Sequence, residues 1–369
     1  MRNTHAIIDR QALLNNISVA RRNIPASTKL MAIIKANAYG HGIVEVGRFL
    51  EESDSVFAFG VAIAEEGVRL RNAGISKPIL ILGASDEAHL DLAIEHRLSP
   101  TVFTAEHLVS AERLSKKYDT VAHVHLKLDT GMRRIGLSDE KELDEFLAVL
   151  ADCPHVKLAG VFTHFAKSEN DPDFTAVQAE RFDRLVSEIK AHGHTPIVHA
   201  ANSGAILDQP QYAYDMVRLG ISLYGYHPEA SKTSSFPLKP VMRLVSSVSH
   251  VKTVEAGEGV SYGLRFVTER QSRIATVPIG YGDGYKRCLT NRAEALVHGV
   301  RCPVVGTVCM DQIMLDVTEL PVCAVGDEVV LLGAQGTEVL SADELAGLAD
   351  TISYEILLSI SERVPRIYQ

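Results

Sequence analysis

Between residues 30 and 220, short apolar, β-rich runs alternate with stretches whose apolar residues recur at helical spacing. That alternation predicts successive βα units around a parallel sheet. Eight such runs stand out, at 30–35, 57–61, 79–83, 98–102, 122–129, 158–164, 196–200 and 216–220. Eight parallel strands in about 200 residues favour a closed (β/α)8 barrel over a doubly wound open sheet, which shares the local pattern. Ser138, Asp139 and Glu140 place an acidic first turn ahead of Leu143, Phe146, Leu147 and Leu150, and a longer helix is predicted over 172–192.

After Tyr226 the pattern changes. A stretch containing proline and serine, 227–240, leads into β-rich runs at 242–254, 273–279, 304–308 and 328–332 with no helical stretches between them. These predict a separate, mainly antiparallel β domain. Ser341-Ala-Asp-Glu344 has the form of a capping box, and 352–360 is a second late helix. The expected fold class is therefore α/β: a (β/α)8 TIM barrel over 11–236, followed by a β-rich domain over 237–369. Residues 1–10 form an N-terminal segment able to add a strand to the second domain.

A chain of 369 residues is long enough for two domains. Lys plus Arg number 37 against 46 for Asp plus Glu, a net charge of −9, which argues against a nucleic-acid partner. The longest apolar pieces, such as 78–83, fall far short of the ~20 residues that span a bilayer, so no membrane partner is expected. The first 11 residues are too polar for a signal peptide, and the five cysteines form no C-x-x-C pair. A cytoplasmic protein with reduced thiols is the expectation.

The fifth run concentrates the candidate chemistry. Alternation puts His123, His125, Lys127 and Asp129 on one face and Val124, Leu126 and Leu128 on the other. In a barrel the aliphatic face meets the helices, so the ionisable face points into the lumen, where it needs partners or a ligand. A solvent-facing strand and a purely structural salt network remain alternatives; a metal site lacks a third ligand at diagnostic spacing. Lys35, His164 and Arg218 stand at the C-terminal ends of strands one, six and eight, the rim where barrel enzymes carry catalytic side chains. Lys35 follows Met31-Ala-Ile-Ile34, and desolvation there lowers an amine's pKa and favours Schiff-base chemistry. The adjoining Asn37-Ala-Tyr39-Gly40-His41-Gly42 suits a binding loop.

Ala32-Ile-Ile-Lys35-Ala-Asn-Ala-Tyr39-Gly40-His41-Gly42 resembles the pyridoxal-phosphate lysine motif of the alanine racemases, fold-type III amino-acid racemases. The likeness continues in order through Leu126-Lys127-Leu-Asp129-Thr-Gly131-Met-Arg-Arg134-Ile-Gly136, Thr163-His164-Phe-Ala166, Ala201-Asn202-Ser203 and Val217-Arg218-Leu-Gly220-Ile221-Ser-Leu-Tyr224-Gly225. In the second domain it takes in Val260-Ser-Tyr262-Gly263, Ile279-Gly280-Tyr281-Gly-Asp283, Val308-Cys-Met310-Asp311-Gln312 and Ser353-Tyr354-Glu355. It covers essentially the whole chain.

The resemblance implies an isomerase that interconverts L- and D-alanine with pyridoxal 5'-phosphate, supplying or consuming D-alanine, as in cell-wall peptidoglycan metabolism. It implies Lys35 as the residue that holds the cofactor and as the base on one face of the substrate Cα, with Tyr262 on the other. Two groups are needed because a planar carbanion must lose its proton on one side and regain it on the opposite side. Arg218 would face the pyridine nitrogen, oriented by His164. Tyr39, Ser203, Tyr354 and the amides of Gly220 and Ile221 would bind the phosphate. Arg134, Met310 and Asp311, with Tyr281 nearby, would bind the substrate, and Lys127 is a carbamylation candidate. Arg133 adjoins Arg134 at a position that varies in the family, which leaves open which arginine reaches the substrate. A homodimer whose site is completed by the partner's C-terminal domain is also implied by the resemblance.

The alternatives are a racemase of broader specificity, acting on serine or other small amino acids, and a barrel-plus-β-domain amino-acid decarboxylase. A decarboxylase should lack the Tyr262 and Met310-Asp311 neighbourhood. A pyridoxal-phosphate carrier would not need a second base. Gly259-Val-Ser261-Tyr-Gly263, with Asp283 and His298 downstream, also satisfies the chain order of a serine hydrolase, but without the strand-to-helix context of a nucleophile elbow.

Overall fold

A computed structural model describes residues 3–369. The first strand, β1 (His5–Ile8), precedes eight parallel strands: β2 (Lys29–Ile33), β3 (Ala58–Val61), β4 (Ile79–Ile81), β5 (Ser99–Val102), β6 (Ala122–Lys127), β7 (Val156–Phe162), β8 (Ile197–His199) and β9 (Met216–Leu219). They close into a barrel, with β9 returning to pair with β2. Each of the eight expected runs contributes one strand. Helix Glu140–Ala151 is capped by the Asp139 carboxylate, which accepts from Glu142 N, and buries Leu143, Phe146, Leu147 and Leu150. Helix Pro172–Ala191 starts behind Asp171, with its proline in the first turn, where a missing N–H costs nothing.

β6 is buried on both faces along most of its length. Val124, Leu126 and Leu128 meet the helical layer, whereas His125 and Lys127 enter the lumen. His123 departs from this pattern: it lies at the N-terminal end of the barrel and is exposed. Gly160 of β7 makes room for His125, since a Cβ at Gly160 would stand 2.2 Å from His125 Nδ1.

Residues 1 and 2 lie outside the described residues. β1 pairs antiparallel with β10 (Met242–Ser247) and parallel with the last strand, Arg366–Tyr368, so both ends of the described chain enter one sheet. That sheet also contains Glu328–Gln335 and the hairpin Glu294–Val297/Val300–Pro303. A second sheet joins His250–Val254, Ser272–Val277 and Ile313–Asp316. Asn16, in the first helix, fixes the connection between the two parts. Its amide donates to Leu223 O and Lys239 O and accepts from Lys239 N.

Two expectations for this region are corrected. The run 242–254 is two strands in different sheets, divided at Val248 and Ser249. Residues 304–308 are not a strand: Val304 makes a single bridge to Leu315, and Gly306 at φ +75° turns the chain away beneath Val260. The late helices are Ala342–Leu348, whose cap Ser341 accepts from Glu344 N, and Ser353–Ser359.

Gly160→Ala should displace His125 and destabilise the chain by about 2 kcal/mol, the usual scale of core overpacking. Urea unfolding checks this; an unchanged midpoint would show that the lumen has slack at this level.

Candidate active site

Lys35 opens a turn of the uncommon hand. Ala36, Asn37, Ala38 and Tyr39 have φ of 50°, 55°, 54° and 51°, and the turn is closed by Ala38 N donating to Ile34 O and Gly40 N to Ala36 O. For residues with a Cβ, each left-handed position costs roughly 1–2 kcal/mol, so the surroundings must hold the turn. Glu66 accepts from Ala36 N and Ala62 N at 2.5 and 2.8 Å, and the Asn37 side chain accepts from Ile43 N. Tyr224 stacks on both Tyr39 and His41. Burial pulls the Lys35 amine below its ordinary value, and the charges of Arg134 and Arg218 pull the same way against the opposing charge of Glu66.

Arg218 is held on several sides. Nη1 donates to His199 O and to His199 Nδ1, at 3.1 and 3.0 Å; Nη2 donates to Thr163 O, Ala200 O and, at 3.2 Å, His164 Nδ1. An arginine only donates, so His199 Nδ1 accepts. The His199 proton therefore sits on Nε2, which donates to His125 Nδ1 at 3.0 Å. Burial and the Arg218 charge push all three histidines down, His125 to about 3, which keeps them neutral near pH 7. Arg218 itself is lowered to about 9 by burial and by Arg134, and stays charged at neutral pH.

Lys127 Nζ donates to Leu128 O at 2.7 Å and lies over the Phe162 ring. Burial, then Arg218, lower its pKa to about 7 against the opposing pull of Asp129. One Asp129 oxygen accepts from Gly131 N and Arg133 N, shaping the turn in which Arg133 takes φ 57°. Of the two adjacent arginines, Arg134 is the one whose charge acts on Lys35, Lys127, His164 and Arg218.

Just past the end of β9, the strand that pairs with β2, Ser203 Oγ accepts from Gly220 N at 2.9 Å and Ser222 N at 3.3 Å, beside buried Ile221. Gly220 leaves a concavity there: a Cβ would meet Tyr39 Oη at 3.1 Å and Ser203 Oγ at 3.5 Å. Tyr354 completes this wall, its ring centroid 5.9 Å from that of Tyr39. Burial raises both phenols, which keeps them protonated donors.

The remaining candidates are elsewhere. Tyr262, Tyr281, Met310 and Asp311 line a cavity of about 810 Å³ walled by the C-terminal domain, with no barrel residue in its lining. Tyr262 is 74% exposed and Met310 51%. None of the residues gathered around Lys35 lines that cavity.

Residues 8–228 match the family described as alanine racemase, N-terminal domain, and residues 241–368 match its C-terminal domain. The chain belongs to the alanine racemase family. It is 44% identical to the alanine racemase of Halothermothrix orenii over 370 residues, covering 100% of this chain and 97% of that one. To the alanine racemase of Symbiobacterium thermophilum it is 45% identical over 371 residues, with the same coverage. Among solved structures, the alanine racemase of Clostridium difficile 630 superposes with a TM-score of 0.94 at 37% identity, covering 100% of this chain and 96% of that chain. The Bacillus anthracis alanine racemase, solved with bound L-Ala-P, gives 0.93 at 38% identity, covering 100% and 95%.

Membership places the chain among isomerases, and the geometry removes the hydrolase alternative. Ser261 Oγ donates to Thr307 O, Asp283 pairs with Arg363, and His298 bonds Asp327. His298 and Gly299, both at positive φ, are the two-residue turn of the hairpin Glu294–Val297/Val300–Pro303. Sequence reasoning did not single out His199 or Glu66, which the structure places with Arg218 and with the Lys35 turn. His199 had a signal, an isolated histidine in a strand next to that of Arg218; Glu66 had none.

Removing the Arg134 charge should move the Lys35 amine back toward its ordinary value. In Arg134→Met, peptide-resolved acetylation of Lys35, after hydroxylamine has freed the amine, should reach its midpoint at higher pH than in the unaltered protein. A midpoint that stays put would mean that Arg134 does not act on Lys35.

Proposed function

We propose that the chain interconverts L- and D-alanine with pyridoxal 5'-phosphate, in a homodimer whose two sites each take residues from both copies. The observation that carries this reading is a lysine with a lowered pKa at the end of β2, beside the strand that carries the fixed cation Arg218 and leads into the hydroxyl-lined concavity at Gly220. The residues present fit the cofactor. The Tyr39, Ser203 and Tyr354 hydroxyls and the Ile221 amide are neutral donors suited to a phosphate, with the Gly220 amide, which donates to Ser203 Oγ, beside them, and Lys35 is an amine suited to an aldehyde. When bound, the cofactor supplies an electron-withdrawing system that acidifies the Cα–H of an attached amino acid.

The chain's own groups do the rest. Lys35 Nζ takes or gives the proton on one face of Cα, and Tyr262 Oη of a second copy does so on the other, so that one proton leaves and one returns in each direction. Arg218 presents a donor to the ring nitrogen, and His164 and His199 fix its orientation. Arg134 provides a planar fork for the substrate carboxylate. Met310, Asp311 and Tyr281 of the second copy close the other side and leave room for a small side chain.

The exposed groups Tyr262, Tyr281 and Met310 support the dimer reading, because the two-base reading needs Tyr262 next to Lys35 and the cavity that these three line has no barrel residue in its wall. A cytoplasmic setting is supported by five unpaired cysteines. Among the described residues, no helix is long and apolar enough to cross a membrane.

At a pKa of about 7, Lys127 holds much of its amine neutral at working pH. We assign it as a carbamylation site: the amine adds CO2 and releases a proton, replacing a cation beside Arg134 and Arg218 with an anion. In 13C-bicarbonate, a carbamate carbon signal should appear by NMR and vanish in Lys127→Ala; a signal that persists in the variant belongs to another amine.

Borohydride reduction followed by peptide mapping tests the cofactor reading. A pyridoxyl adduct should appear on the Lys35 peptide, and its absence after incubation with pyridoxal phosphate would reject the reading. Tyr262→Phe should slow solvent-proton exchange at least about a hundredfold from one enantiomer of alanine and much less from the other. Equal small effects on both would remove Tyr262 from the proton transfer. Assaying the enantiomers of serine beside those of alanine separates a strict from a broad racemase.

A further inference from the structure

The last strand of the chain reaches back to the Lys35 turn. Arg366 Nε donates to Gly40 O at 3.0 Å, while its Nη1 donates to Ser361 O and Val364 O and its Nη2 to Ile360 O, each at 2.6 Å. Tyr368 Oη donates to His41 O at 2.9 Å and fills the space left open at Gly42. Gly40, at φ +85°, lies against Leu357 O of helix Ser353–Ser359, so close that a Cβ there would stand 2.4 Å from that oxygen.

The carbonyls that Arg366 gathers thus belong to two segments. One is the turn that carries Lys35 and Tyr39; the other follows the helix that carries Tyr354. We infer that Arg366 and Tyr368 are positioning residues, which clamp the left-handed Lys35 turn and keep the Tyr39 and Tyr354 hydroxyls in register as one phosphate cradle. A strained turn needs such support. Four consecutive left-handed residues with side chains relax toward ordinary backbone unless the chain is fixed where the turn ends, and it is there, at Gly40 O and His41 O, that Arg366 and Tyr368 bind. A guanidinium bound to carbonyls in both segments is stiffer than a lysine, which offers a point charge and no planar fork.

The inference rests on the pyridoxal-phosphate reading for its binding measurement and is independent of it for its exchange measurement. The variants are Tyr368→Phe, which keeps the ring and deletes the donor, and Arg366→Lys. Hydrogen exchange of the full chain, resolved to the peptide covering 36–43, should be faster in both, while the barrel helices keep the protection they have in the unaltered protein. The preference for pyridoxal phosphate over pyridoxal, read as the ratio of half-saturating concentrations for the borohydride-trapped Lys35 adduct, should fall roughly fivefold, the effect of one lost hydrogen bond.

A merely stabilising tail would weaken both aldehydes alike. An unchanged ratio, or unchanged exchange at 36–43, therefore overturns the inference. If Arg366→Lys fails to fold, Tyr368→Phe decides. If the unaltered protein traps neither aldehyde, the cofactor reading fails, and the exchange result alone decides whether the tail holds the turn.

Discussion

Positive charge at the mouth of the barrel is the constraint on which the rest of the site depends. Lys35, Lys127, Arg134 and Arg218 act on one another there, and Lys127 and Arg218 are almost wholly buried. The carboxylates that face them, Asp129 and Glu66, already accept backbone N–H groups. Buried cations without matching anions lower one another's pKa and raise the energy of the charged fold. The site answers in two ways. It holds the three histidines around Arg218 neutral, and it leaves cations and donors free for the anionic groups of the ligand we propose.

That arrangement needs a rigid frame. The (β/α)8 barrel supplies strand ends for Lys35, His164 and Arg218, and Asn16 ties the connection at 239 back to the first helix. The C-terminal sheet takes in β1 and the last strand together, so the tail that ends at Tyr368 is fixed where it can reach Gly40 and His41. The same tail carries Arg363, which pairs with Asp311 in the cavity of the C-terminal domain. Hydrogen bonds thus join the sheet, the tail and the chain that follows the Lys35 turn. This explains how a domain remote in sequence from Lys35 bears on its backbone.

Much of this was legible in the sequence because it was written in periodicity. The eight barrel strands follow from apolar runs at regular intervals, and the polar face of β6 from the alternation between His125, Lys127 and the aliphatic residues. What was not legible depends on non-local contact. Ala36-Asn-Ala-Tyr39 has no glycine until Gly40, so nothing in its composition signals a left-handed turn. The run at 304–308 is apolar enough for a strand, but the turn at Gly306 and its approach to Val260 belong to tertiary structure. His199 reads as an ordinary core histidine until Arg218 and His125 are seen on either side of it.

In the dimer we propose, each site joins Lys35 of one copy to Tyr262 of the other. Complementation tests it most directly: Lys35→Ala and Tyr262→Ala chains, each inactive alone, are mixed, partly unfolded and allowed to reassociate, and alanine racemisation is then measured. Shared sites predict that activity returns, because a mixed dimer contains one site with both groups intact. Activity that stays at the level of the separate variants, with mixed dimers shown by native mass spectrometry, would contradict the account and place both groups in a site built by one chain.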